Sequence, residues 1–78
     1  MKLTIKGELT KTENRVSKKG NKYSVIDLMQ PDNKYEYLRV MVDNEIDVDE
    51  LSIGSYYVAT LDYNVRFKSF KVVKLENE

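Results

Sequence analysis

Polar and apolar residues alternate with a period of two along most of this chain. Lys2-Leu3-Thr4-Ile5-Lys6 alternates cleanly, the pattern of a strand with one face buried. Gly7 then interrupts, and a glycine inside a strand pattern points to a bulge or bend. The pattern continues through Leu9 towards Arg15, with Thr10 and Thr12 compatible with a strand. Lys18-Lys19-Gly20-Asn21 reads as a turn, because Gly20 takes a positive φ without steric cost and Asn21 is the next most tolerant residue. Residues 22–29 form the returning strand, with Ser24, Ile26 and Leu28 on one face and Tyr23, Val25 and Asp27 on the other. Residues 10–29 are therefore a hairpin with a basic tip. Its free end is too polar for a core, so it is expected to project.

A second turn over residues 30–33 contains Pro31, which sets the backbone angle. Residues 35–42 follow as a third strand. Leu38, Val40 and Val42, with Glu36, make its inward face; Tyr35, Tyr37, Arg39 and Met41 make the other. Residues 43–53 are acidic with scattered apolar anchors, and read as a loop or one helical turn opened by Asp43 or Asn44 and ended by Gly54. Residues 56–63 have high β propensity and form a fourth strand. A tight connection at 62–64 leads to a fifth over 65–75, with Val73 and Leu75 inward and residues 76–78 frayed. Five short strands with little helix predict an all-β fold, a small five-stranded antiparallel OB-fold-like barrel with the basic hairpin projecting from it. An SH3-like barrel is its main competitor.

At 78 residues the chain allows one domain, spanning 1–78, with a thin core. It has no cysteine and no histidine, which excludes disulfides and removes both usual zinc ligands. The same absence removes the imidazole base and the thiolate, so catalysis is not expected and neither is a cofactor. A domain of this size without staples is expected to draw stability from a second subunit. Uncharged apolar runs are only a few residues long, so neither a membrane span nor a signal peptide is expected, and a reducing cytoplasmic setting fits.

The formal net charge is zero, but it is segregated. Residues 1–39 carry a net +4, residues 40–54 carry −5 with no base, and residues 55–78 carry +1. A neutral protein divided this way can still present a basic groove. Aromatics are interleaved with the cations: Tyr23 follows Lys22, Tyr35 and Tyr37 precede Arg39, and Phe67 sits between Arg66 and Lys68. Single-stranded nucleic acid needs this pairing, because aromatic faces stack on unpaired bases while cations follow the phosphates. Tyrosine is also simply a good strand residue, so the arrangement around the basic hairpin matters more than any one ring.

The run from Arg15 through Ser17-Lys18-Lys19-Gly20-Asn21-Lys22-Tyr23-Ser24 resembles the DNA-binding wing of the gene V single-stranded DNA-binding proteins of filamentous phages. Ile53-Gly54-Ser55-Tyr56-Tyr57-Val58 is similar to that family's glycine-tyrosine opening of a late strand, and residues 67–75 to its closing strand. The resemblance covers nearly the whole chain. It implies an OB-fold homodimer that coats single-stranded DNA with little sequence preference, in the cytoplasm of a host cell, during phage or mobile-element replication. It assigns Arg15 and Lys18 to phosphates, with Lys19 and Lys22 on the same wing, Tyr23 to base stacking and Val25 to the shared groove. It further implies that Tyr35 or Tyr37 is the exposed tyrosine of the third strand and that Arg39 supplies the nearby cation. By the same resemblance Phe67 reaches the partner subunit's groove and Lys74 takes the place of a closing-strand arginine. Lys22 replaces a proline common in the family, and the acidic stretch is longer. Alternative readings are an RNA-binding OB or cold-shock-like module and a protein-interaction barrel.

Overall fold

The computed structural model describes the backbone of residues 1–78 and the side chains of all but residues 33–35. Five strands run in chain order: β1 Lys2–Val16, β2 Lys22–Gln30, β3 Asn33–Val42, β4 Tyr56–Asn64 and β5 Ser69–Asn77. They close into a barrel in the order β1-β2-β3-β5-β4. The seams are antiparallel except the one between β3 and β5, a short parallel contact pairing Met41 with Lys71 and Val42 with Val72. This is the OB-fold-like barrel, and its closure removes the sheet edges that an open meander would expose. Among the described residues no helix is long and apolar enough to cross a membrane.

One long strand serves both halves. β1 pairs with β4 from Lys2 to Glu8 and with β2 from Glu8 to Val16. The hand-over needs a change of direction, and two features supply it. Thr10 is the extra residue of a bulge between the Leu9–Leu28 and Lys11–Asp27 pairs, and its hydroxyl donates to the Asp27 carbonyl at 3.3 Å. Gly7 is buried where β1 crosses β2: a Cβ placed there would stand 3.0 Å from both Leu28 Cβ and the Met29 carbonyl oxygen. Gly7 thus permits a close approach, and the bulge itself falls three residues later.

The core is built from the inward positions of every strand: Leu9, Ile26, Leu28, Val40, Val42, Tyr57, Ala59, Leu61 and Val72. Fully burying an aliphatic side chain contributes about 1.5–3 kcal/mol, so this set carries most of the fold. The Tyr57 hydroxyl, buried with its ring, accepts from the Ser52 N–H at 2.9 Å. Val48, on a single turn of 3₁₀-helix, Val48–Glu50, is buried with this core.

Several details differ from the sequence expectations. The helical turn is capped by Asp47, whose carboxylate accepts from the Asp49 N–H at 3.0 Å, rather than by Asp43 or Asn44. Asp43 instead extends the β3–β5 seam, its N–H donating to the Val72 carbonyl at 2.8 Å. The last connection is a turn over residues 65–68, so β5 starts at Ser69 and not at Val65. There the Asn64 side chain accepts from the Phe67 N–H at 3.1 Å, and Lys68 takes a φ of 51°. An irregularity between the Thr60–Lys74 and Leu61–Val72 pairs makes Val72, rather than Val73, the fully buried valine. Residues 76–77 are not frayed: they pair with Val58 and Tyr57.

Candidate nucleic-acid interface

The outward positions of β1, β2 and β3 form a continuous grid, because strand register brings them side by side. Arg15 lies opposite Tyr23. One step along, Glu13, Val25, Met41 and Lys71 form a row across four strands. Lys11, Asp27 and Arg39 form the next, and Met29 with Tyr37 the last. Directly opposed residues in such a ladder stand roughly 4.5–5.5 Å apart, close enough to act on one ligand. The hairpin overhangs one end of the grid. β2 pairs with β3 only from Ser24 onward, so residues 15–23 have no third strand beside them.

At the tip, Gly20 has a φ of 86° and its N–H donates to the Ser17 carbonyl at 2.9 Å. Lys18, Lys19 and Lys22 are exposed there, and among the described residues none of them is in an ion pair. Below the tip a cavity of about 590 Å³ separates the hairpin from the acidic segment, with Tyr23, Lys22, Ile46 and Asp49 on its walls. Asn14 donates to Asp49 across the base of the hairpin at 3.2 Å and accepts from the Ser24 hydroxyl at 2.7 Å. The acidic segment thereby braces the hairpin from its inner side, and Asp49 shares the cavity with Arg15 and Tyr23.

The two arginines of the grid are each held by a carboxylate. Arg39 donates through Nε and Nη2 to the two oxygens of Asp27 at 2.9 and 3.2 Å. These bonds, ahead of simple charge attraction, hold the guanidinium above its ordinary value. Asp27 is only 7% exposed, so the pair fixes Arg39 against the sheet. Arg15 donates to Glu13 at 2.8 Å. That bond raises Arg15, with the Tyr23 hydroxyl adding to it, and it lowers Glu13 despite the opposing effect of burial. A guanidinium has five N–H donors, so each arginine keeps several for an anion above the sheet.

The expected site residues separate accordingly. Arg15, Lys18, Lys19, Lys22, Tyr23, Tyr37 and Arg39 stand on the hairpin or the grid, with Tyr37 61% exposed. Val25 is at the grid's centre but buried, so it forms floor rather than contact surface. Tyr35 lies outside the described side chains. Phe67 stands on the β4–β5 turn, 70% exposed, with the Arg66 guanidinium 5.6 Å from its ring centroid. Lys74 is placed apart: it pairs with Thr60 beyond the β3–β5 contact, and its ammonium meets Glu76 at 3.0 Å. Among the other tyrosines, Tyr57 is core and Tyr63 packs on Phe70 with centroids 4.8 Å apart. Sequence reasoning missed Glu13 and Asp27 as the groups that set the two arginines. The available signal was Asp27 itself, a carboxylate in the middle of an apolar strand, which requires a partner.

Compared with known proteins, the chain matches no protein-family model and no curated sequence.

Proposed function

We propose that this protein binds single-stranded DNA along the outward face of β1, β2 and β3, without catalysis. One observation carries the reading. A grid holding Arg15, Tyr23, Arg39 and Tyr37 runs continuously from a hairpin tip with three exposed lysines, while Asp43, Asp47 and Asp49 each have a partner of their own. Asp43 meets Lys71 at 3.2 Å, Asp47 caps its own helical turn and Asp49 holds Asn14. The strand's phosphates follow Lys18, Lys19, Lys22 and the outward donors of the arginines, while bases stack on Tyr23 and Tyr37. Reading of this kind is tolerant of sequence, since every base has a stacking face. Stacking on Tyr23 and Tyr37 needs unpaired bases, which favours a single strand over a duplex.

The phage gene V family supplies the biological form of the proposal: a homodimer that protects single strands during replication. Val65 on the β4–β5 turn is 76% exposed, an apolar position that a second subunit would cover. The test is titration with oligo(dT), following tyrosine fluorescence at several salt concentrations, with sedimentation on the same samples. If four to six phosphates are neutralised, log K falls against log salt with a slope of about −3 to −4. Equal affinity for duplex, or a flat salt response, refutes the assignment. Tighter binding of a matched RNA strand moves it to RNA. A monomer at micromolar concentration removes the dimer.

A further inference from the structure

Beyond the grid, at the Met41 end, a second cavity of about 560 Å³ opens between β3, β4, β5 and the β4–β5 turn. That volume lies in the range of pockets that take small organic ligands, roughly 300–1,000 Å³. Its apolar walls are Met41, Phe67 and Phe70 and its polar ones Asp62, Asn64, Ser69 and Lys71. Resting on the single-strand reading above, we propose that this cavity is a nucleobase pocket that prefers guanine.

The walls select a flat aromatic ligand. Phe67 is braced on its loop by the Asn64 turn and by Arg66 against its ring, so little freedom is lost when a base stacks on it. Met41 offers a polarisable thioether, which suits an aromatic edge. The charge around the mouth favours a nucleotide over a neutral molecule. Arg66 and Lys68 stand on the turn with no acid between residues 65 and 68, and among the described residues neither is in an ion pair. Met41 and Lys71 belong to the grid row through Val25, so a strand lying on the grid leads into the pocket.

The polar groups select the base. Lys71 already meets Asp43, and Ser69 and Asn64 can each donate or accept, so the acceptor-only carboxylate of Asp62 sets the choice. Asp62 has only a loose partner, the N-terminal ammonium at 3.7 Å, and its side chain is about half exposed. Asn64 spends one lone pair on the Phe67 N–H and keeps another. A carboxylate pairs best with two adjacent donors. Guanine alone presents them, at N1 and N2 of its Watson–Crick edge. Thymine has a single donor between two carbonyls, and cytosine and adenine each set one amino group beside an acceptor, which a carboxylate repels.

The experiment compares short thymine strands that carry one central guanine, inosine or thymine, against the wild-type protein, Asp62→Ala and Phe67→Ala. Both side chains are substantially exposed, so the variants fold. Wild type is expected to bind the guanine strand about tenfold tighter than the all-thymine strand, with inosine, which lacks the N2 amine, in between. Asp62→Ala brings the guanine-to-thymine ratio close to one; because it is a ratio, the change in net charge cancels. Phe67→Ala lowers the ratio as well. A wild-type ratio within about twofold of one overturns the pocket, as does a full ratio surviving in Asp62→Ala, and salt-dependent binding of the thymine strand then leaves the single-strand reading standing. Failure to bind either strand overturns both.

Discussion

Replacing Gly7 by alanine tests the crossing of β1 and β2, on which both the barrel and the placement of the hairpin depend. The added methyl group would meet Leu28 Cβ and the Met29 carbonyl oxygen at 3.0 Å each. Neither can retreat freely. Leu28 has no exposed surface and pairs with Leu9, itself fully buried, and the Met29 carbonyl belongs to the backbone of a strand paired on both sides. Forcing one extra carbon into a packed core costs about 1–3 kcal/mol. Alanine also restricts the unfolded chain, which offsets about 0.4–1 kcal/mol. The balance is a destabilisation of about 1–2 kcal/mol, or a Tm lowered by roughly 5–15 °C for a domain of this length. Thermal and urea unfolding followed by circular dichroism measure it, with the midpoint moving and the denaturant slope unchanged. A Gly7→Ala protein as stable as wild type would show that β1 and β2 do not cross this closely.

Tyr23→Ala is expected to weaken single-strand binding by about 1–3 kcal/mol while moving the Tm by only a few degrees, since the ring lies on the outward grid; a large stability loss with unchanged affinity would make it a packing residue. Lys68→Gly relieves a lysine held at a φ of 51°, so thermal unfolding should show a gain of about 0.5–1 kcal/mol, while DNA titration shows weaker binding from the lost cation. A loss of stability there contradicts the turn geometry. Glu13 and Asp43 are both lowered, chiefly by hydrogen bonds from Arg15 and Lys71. Their contribution to stability is complete above the unfolded carboxylate values and is lost as pH falls through the lower folded ones. With no histidine to titrate, the Tm should hold level from pH 7 to about 5 and fall below about pH 4; a Tm that rises on acidification contradicts both pairs.

The elements that were legible in the sequence are those governed by local chemistry. Alternation and β propensity located all five strands, and Gly20 located the hairpin tip, where a positive φ is required. Segments whose conformation is set by distant partners were misplaced. Asp43 looked like a helix cap, but a carbonyl and an ammonium of β5 claim it. Residues 65–67 were misplaced for a local reason: they alternate like a strand, yet the Asn64 side chain accepts from the Phe67 N–H and turns them. The candidate site divides the same way. Faces follow from the period of two, so Tyr23, Tyr37 and Arg39 were legible as outward. Which cations are engaged depends on register across strands, and register placed Asp27 under Arg39 and Glu13 beside Arg15.

This register has a consequence for how a chain of zero net charge carries a basic face. An exposed lysine and an arginine bound to a carboxylate do different work beside a phosphate. Lys18, Lys19 and Lys22 stand on a hairpin with no third strand, so they supply field and reach at little steric cost. Arg15 and Arg39 are already oriented by Glu13 and Asp27, so they contribute fixed donors with part of their charge offset. Attraction therefore falls to the hairpin and orientation to the grid. Four of the thirteen acids are placed where they serve folding: Asp43 at the barrel seam, Asp47 at the helical cap, Asp49 at the base of the hairpin, and Asp27 beneath Arg39. Neutrality here is a property of the whole chain and not of the surface that meets the ligand.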